Sequence, residues 1–342
     1  MQSTASNYTQ PLASKPKRRL WPYVIIVLWL LLLSAVFVNR NRIYDWWRLL
    51  GYKAPSQILA LAKDDTMTPY ALTLLEINHP QIQTYKAFNQ YCPDDGGEKT
   101  IVLGCYHSDE NGIYLLSVSD PRLNGVMQVT AAHEMLHAAY SRLSAAERNK
   151  VDGWLLSYYE HDLKDPRIIA TIAAYRKSEP TQVVNEMHSV FGTEVMNLPK
   201  PLENYYKRYF TDRQKIAAYA NQYQNEFTSR QAEVKADDAK LVAMLSQINS
   251  QKATIEAQYN QIVGLQKQLS SLASNNDISQ YNALVNPYNQ AVDSYNASVN
   301  SLQGLINSYN ALVNIRNKVS LIENQLFSEL SGTPSTIQTK QW

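Results

Sequence analysis

Two histidines and a glutamate with the spacing of a metal-binding helix stand near the middle of the chain. His133, Glu134 and His137 lie within TAAHEMLHAAYSR and form the pattern H-E-x-x-H. Because residues four apart share one face of a helix, both imidazoles can reach a single Zn²⁺ while the glutamate approaches a water on that ion. A random chain with 6 histidines in 342 residues would contain this pattern about 0.005 times. The spacing therefore predicts a zinc site, and the alternative is an amphipathic helix with two ordinary histidines.

A catalytic zinc needs a third protein ligand and an open position for water. The metzincin pattern would continue with glycine and histidine, but Tyr140 and Leu143 stand at those positions, so that class is excluded. A glutamate from a second helix is the other common solution, and NEMHS offers Glu186. His188 lies about 200° round a helix from Glu186, so the two side chains cannot face the same ion. Weaker candidates for the third ligand are Glu194 and His161.

H-E-M-L-H followed by N-E-M-H-S resembles the zinc motifs of the gluzincin metallopeptidases, the thermolysin-like and M1-aminopeptidase-like enzymes. The resemblance implies that His133, His137 and Glu186 bind zinc and that Glu134 is the general base. It covers only these two motifs. Val190 replaces the aspartate that supports a ligand histidine in the family, and 49 residues separate His137 from Glu186, more than in either group. The sequence is thus similar to a divergent gluzincin.

The elements that must position these motifs are predicted to form an α+β domain over residues 56–210. Two strands, KTIVLGCY and GIYLLSVSD, are joined by HSDENG, whose Asn-Gly pair is typical of a hairpin. In zincin folds, as the resemblance implies, an edge strand before the zinc helix binds substrate as an added strand. GIYLLSVSD has that place in the sequence, and the alternative is a plain strand of the sheet. The prediction is a zincin-like catalytic domain.

An uncharged apolar run from Trp21 to Val38 precedes this domain and would span about 27 Å as a helix, close to the thickness of the bilayer core. Its length and flanking aromatic residues predict an uncleaved transmembrane helix in the lipid bilayer, the alternative being a buried core helix. Residues 1–20 are predicted to be a disordered basic tail and residues 39–55 a juxtamembrane segment. Basic residues stand on both sides of the run, so charge does not decide its orientation.

The only two cysteines, Cys92 and Cys105, bear on the location of the domain. A pair of cysteines in a membrane-anchored domain is typical of an oxidising compartment, where a disulfide would form. The alternative is two unpaired, buried thiols. The predicted location is the cell membrane, crossed once, with the catalytic domain outside the cytoplasm.

From residue 211 to residue 331 the chain changes to a long helical repeat. Apolar residues recur every seven positions from Leu241 to Leu269, and tyrosines recur in the same way from Tyr281 to Tyr309, with Leu302 in place of one tyrosine. The polar turn ASNNDIS separates the two arrays. They predict helices of about 90 and 80 Å that fold back as an antiparallel coiled-coil hairpin. Pro287 predicts that the second helix is kinked or starts late, and residues 332–342 are predicted to be a C-terminal tail.

The predicted function is a membrane-anchored zinc peptidase that acts on a peptide or protein, with Glu134 moving the proton of the attacking water. The hairpin could bind a protein partner or a second copy. The alternative is a coiled-coil protein of the cell envelope with a non-catalytic zincin-like domain.

A net charge of +2 without a long basic run gives no reason to expect nucleic acid. Candidate donors to the oxyanion are Tyr158, Tyr159, His161, His188, Tyr205 and Tyr206.

Overall fold

A computed structural model describes residues 21–93, 102–109 and 112–331, which are mostly helical. The chain divides into two compact units between Lys53 and Ala54. The predicted tails, residues 1–20 and residues 332–342, lie outside the described residues.

The first unit contains two helices, α1 at Trp21–Val38 and α2 at Arg40–Leu49. Among the described residues α1 is the one helix that is long and apolar enough to cross a membrane. None of its residues is buried, so α1 is not a core helix of this unit. The predicted juxtamembrane segment is helical over most of its length.

The second unit holds both predicted motifs. Its helices before the motifs are α3 at Ser56–Asp64, α4 at Pro69–Glu76 and α5 at Tyr85–Tyr91. The remaining helices are α6 at Val126–Ser141, α7 at Ala145–Ser157, α8 at Pro166–Ser178, α9 at Val183–Glu194, α10 at Lys200–Tyr206, α11 at Arg213–Ser274 and α12 at Ile278–Ser331.

A small sheet of three strands lies beside α6. The strands are β1 at Gln81–Gln83, β2 at Gly104–His107 and β3 at Gly112–Leu116, in the order β1, β3, β2. The central strand β3 pairs parallel with β1 and antiparallel with β2. The prediction that GIYLLSVSD forms the edge strand is therefore wrong. Every residue of β3 is buried, as expected for an unbroken apolar run covered on both faces.

Helices α6 and α9 pack closely because a glycine faces α6. A Cβ placed on Gly192 would lie 2.5 Å from Leu136 Cδ1 and 2.8 Å from a ring carbon of Tyr206, so a larger residue would push the helices apart. Most residues of α6 are buried, and Ala132, one turn before Leu136, adds a small residue to the same face of the helix. This contact brings the two sequence motifs together.

The last two helices form a hairpin, as the sequence predicts. Residues near the start of α11 meet residues near the end of α12, as in the ion pair between Asp238 and Arg316, so the helices are antiparallel. They turn through residues 275–277, and α12 begins at Ile278, so a late start after Pro287 is wrong. A cluster around Leu241, Ile248 and Tyr309 packs between the helices, with several predicted heptad residues beside it.

The first turns of α11 are part of the packed core. Ile216, Ala217 and Ala220 are fully buried, and this part of the helix contacts α6 and α9. Between residues 249 and 308, by contrast, no described residue is buried. The hairpin therefore has an anchored base and a distal part that stands free of the core.

Candidate metal centre

The three predicted metal ligands meet where α6 and α9 touch. His133 and His137 lie one turn apart on α6, with 3.0 Å between their Nε2 atoms. Glu186, near the start of α9, places Oε2 at 3.6 Å from His133 Nε2 and Oε1 at 3.4 Å from His137 Nε2. One ligand atom from each residue lies within 4.8 Å of the others. The structure thus brings together the residues that the sequence selected.

The geometry of this donor set fits a zinc ion. Nitrogen and oxygen ligands at about 2.05 Å in a tetrahedral site lie about 3.3 Å from one another. The separations of 3.0, 3.4 and 3.6 Å lie around that value. In addition, Glu186 Oε2 is buried without a hydrogen-bond partner. A buried carboxylate oxygen is costly unless a cation or a donor compensates its charge, so His133, His137 and Glu186 could hold the metal.

Two further side chains orient the ligands. Nδ1 of His137 lies 3.0 Å from Oδ1 of Asn185, and since this oxygen only accepts, Nδ1 donates and Nε2 is left for a metal. The hydroxyl of Tyr175 on α8 bonds to Glu186. Burial raises the pKa of Glu186, but His137, His133 and Tyr175 outweigh it and hold that pKa below its ordinary value. Asn185 thus orients a candidate ligand histidine, as polar partners of histidines do in known metal sites.

Glu134 lies on the same helix, between the two histidines in sequence, and is only 5% exposed. Burial raises its pKa to about 7, an effect that His137 opposes and Glu186 reinforces. The backbone of β2 passes directly against this side chain, since a Cβ on Gly104 would lie 2.8 Å from Glu134 Oε1. A carboxyl group with a pKa near neutrality is suited to accept a proton and to return it.

The weaker candidate ligands lie apart from this cluster. Nε2 of His188 lies 2.8 Å from the hydroxyl of Tyr205, and burial lowers the pKa of His188 to about 3, so the ring is neutral. Glu194 forms an ion pair with Arg167. His161 is exposed. As the helical angle predicted, His188 points away from the metal ligands.

The ligands and Glu134 line one open cavity of about 930 Å³. Residues of β2 line one side of it, and residues from both helices of the hairpin line another.

None of the six predicted oxyanion donors is among the described residues that line the cavity, whereas Tyr175 is. Sequence reasoning missed Tyr175 because it comes from α8, a helix without a motif. Asn185 could have been found, since it opens the NEMHS motif.

A disulfide joins Cys92 and Cys105 at the β2 side of the cavity. It ties the edge strand β2 to the end of α5, so the alternative of two unpaired thiols is wrong. His107 Nε2 lies 3.3 Å from Cys105 Sγ and 2.7 Å from the carbonyl oxygen of Tyr91. Because disulfide sulfurs are not thiolate ligands, these three residues do not form a second metal site.

The arrangement could hold a divalent metal ion next to a buried carboxyl group in an open cavity, and metal-assisted hydrolysis uses these parts. No family model, no curated protein and no solved structure matches this chain.

Proposed function

We propose that this protein is a zinc-dependent peptidase held at a membrane by α1. The observation that carries the proposal is the meeting of His133, His137 and Glu186 in one cavity with the buried carboxyl of Glu134. A structural role would not require a carboxyl group at this position, where burial raises its pKa to about 7. A carboxyl group tuned in this way is typical of proton transfer in hydrolysis.

Each residue has a chemical task in this proposal. His133, His137 and Glu186 would hold the zinc, which lowers the pKa of a bound water and polarises the scissile carbonyl. Glu134 accepts the proton of the attacking water and then delivers it to the leaving amine. Tyr175 lines the cavity beside Glu186, and its hydroxyl could donate to the oxyanion if it turned away from Glu186.

The gluzincin-like fold is part of the same proposal. In its support, the H-E-x-x-H helix α6 packs on α9, which carries the glutamate, and the sheet lies beside α6. Among the described strands β2 lies at the sheet edge next to Glu134, so a substrate could pair with it as an added strand. The sheet has three described strands, so the proposal of a zincin-like fold rests on the pairing of α6 with α9 and not on the sheet.

We further propose that the peptidase unit lies outside the cytoplasm. The disulfide between Cys92 and Cys105 supports this location, because such bonds persist in oxidising compartments. Labelling of engineered surface cysteines in intact cells tests the orientation. Labelling that requires permeabilised cells would contradict it.

The proposed function is tested on a soluble fragment that starts at residue 54, the beginning of the second compact unit. We expect close to one zinc per chain by elemental analysis, and loss of the zinc in His137→Ala. Glu134→Gln should keep the zinc and lose peptide cleavage. A folded wild-type fragment without bound metal or without cleavage of any peptide in a broad library would overturn the proposal.

The second candidate function is a membrane-anchored envelope protein that uses the same domain for binding. The long hairpin favours it, since α11 and α12 together exceed the rest of the second unit's helices in length. The Glu134→Gln variant discriminates the two functions. A cellular phenotype equal to that of the wild type would favour the binding protein.

A further inference from the structure

We infer that the base of the helical hairpin selects the substrate, and that Phe227, Phe327 and Leu330 form a subsite for a large apolar side chain of the peptide. This inference rests on the proposed function and adds a substrate class to it. Phe227 and the other two residues lie 100 positions or more apart in the sequence, on two helix segments that both line the cavity that contains the candidate metal ligands.

The two helices of the hairpin present one continuous wall to this cavity. On α11 the lining residues are Tyr223, Gln224, Phe227 and Gln231, whose spacing of three and four places them on one helical face. On α12 the lining residues are Phe327 and Leu330, three positions apart. Since the helices are antiparallel, the first part of α11 and the end of α12 meet at the same place.

The end of α12 is held firmly against the domain. Glu329 accepts hydrogen bonds from the backbone nitrogen and the hydroxyl of Ser119, which follows β3. Leu326 and Leu330 are buried on either side of Phe327. Phe327 itself is 49% exposed, although it lies between these anchored neighbours. The backbone at Phe327 is therefore held beside the cavity, and about half of the residue's surface is accessible to a ligand.

The chemistry of the wall determines the class of substrate. The six lining residues of the hairpin carry no charge, whereas charged lining residues such as Arg148, Arg167 and Glu179 come from α7 and α8 or from the segment that follows α8. An aromatic surface without charge gains free energy by covering an apolar side chain and loses it by desolvating a charged one. The amides of Gln224 and Gln231 can bond to the peptide backbone on either side. We therefore expect a preference for phenylalanine, leucine or tyrosine over aspartate, lysine or alanine at one substrate position.

The test uses the full chain in detergent and a peptide series that varies one residue at each position around the cleaved bond. For the wild type we expect kcat/KM to favour the large apolar residue by about 10- to 100-fold at one position. Phe327→Ala should reduce this preference to about threefold or less, and Phe327→Leu should retain most of it. The matched control is Ile315→Ala, an exposed residue of α12 outside the cavity, which should leave the preference unchanged.

Equilibrium binding of the same peptides to the Glu134→Gln chain separates this inference from the proposed function. A preference in binding that depends on Phe327, without cleavage by the wild type, would overturn the peptidase and leave the subsite. An apolar preference that Phe327→Ala leaves intact, or no preference at any position, would overturn the subsite whatever the cleavage result. Failure of every peptide to bind would also overturn it.

Discussion

The missing side chain of Gly104 determines how closely β2 approaches α6. A Cβ at this position would lie 2.5 Å from Thr130 Cγ2 and 2.8 Å from Glu134 Oε1. Atoms in proteins do not approach so closely, so a side chain here would displace either the strand or the glutamate. The glycine is needed for space at the residue that would act as the general base.

We predict that Gly104→Ala lowers kcat/KM for peptide cleavage by about 100-fold, because a small displacement of a catalytic group has effects of that size. The zinc content should not change, since the three atoms nearest to the new methyl group belong to Thr130 and Glu134 and not to a candidate ligand. The control is Gly153→Ala on α7, where a Cβ would meet nothing within 4 Å. That variant should keep full activity and gain about 0.5 to 1 kcal/mol in unfolding free energy. Equal activity of the two variants would contradict the prediction.

Asn185 contacts His137, and the strength of this contact can be tested by mutation. Asn185→Ala removes the acceptor for His137 Nδ1 and should weaken zinc binding by about 10- to 100-fold, as loss of such partners does in other zinc sites. Competition with a chromophoric chelator measures the affinity. Gln182→Ala is the matched control, because the side-chain oxygen of Gln182 accepts from Nδ2 of Asn185, at 3.2 Å, whereas the oxygen of that amide holds His137. If both variants bind zinc as tightly as the wild type, Asn185 has no orienting role.

The residues of the candidate site differ in how far the sequence could predict them. His133, Glu134 and His137 lie within one helical turn, so their spacing alone predicted them as neighbours. Glu186 required a second motif, because nothing local indicates that α9 packs on α6. Tyr175 and Phe327 belong to helices without a motif, and they reach the cavity only through long-range packing.

At the scale of elements, Arg213 joins the start of the hairpin to the end of α9. The residue is 5% exposed. Its guanidinium group donates to the carbonyl oxygens of Phe191, in the last turn of α9, and of Val195, the residue after the helix, and pairs with Glu203. Carbonyl groups at the end of a helix lack partners within the helix and carry partial negative charge. The arginine therefore stabilises the end of the helix that carries Glu186.

We predict that Arg213→Ala lowers the unfolding free energy by about 3 kcal/mol or more, since it leaves buried carbonyl groups and a carboxylate without a partner. Urea denaturation followed by circular dichroism measures the change. Arg230→Ala is the control, because Arg230 pairs with Glu226 one turn away on the surface of α11. That pair should contribute under about 1 kcal/mol. A loss at Arg213 no larger than at Arg230 would contradict the role of Arg213.

The elements themselves were predicted to different degrees. The hairpin helices contain apolar residues that repeat every seven positions over a long stretch. This repeat predicted both helices, and the short polar turn between them predicted their antiparallel arrangement. The order of the strands did not, because β1 is three residues long and enters the sheet from a distant part of the chain. Because β1 pairs with β3, β3 is the central strand and β2 lies at an edge of the sheet. The hairpin of β2 and β3 alone does not predict which of the two strands is central.

For the molecule as a whole, the hairpin has two parts with different dependence on the core. Its base contributes fully buried residues such as Ile216 and Ala220, and its distal part contributes no described buried residue between 249 and 308. Stability should therefore depend on the base and hardly at all on the tip. The sequence predicted that the domain ends at residue 210. The first turns of α11 lie after that residue, yet they pack against α6 and α9 of the predicted domain.

We predict that removal of three heptads from each arm, residues 252–272 and 281–301, leaves the second unit folded with its zinc affinity intact. Whole heptads preserve the facing of the two helices. Removal of residues 211–331 should instead abolish cooperative unfolding, since it exposes the surfaces of α6 and α9 that α11 covers. Thermal denaturation of both deletion variants checks the prediction. A stable fragment of residues 54–210 would show that the base of the hairpin is dispensable.

The shape of the hairpin also has a mechanical consequence. From Gln224, beside the cavity, to the turn after Ser274, α11 extends about 75 Å, and α12 returns over the same distance to Phe327. A rod of this length fixed at one end is a lever, so a small sideways force at the tip produces a large torque at the base. Because that base lines the cavity, a sideways force on the tip would be transmitted to residues at the entrance of the cavity.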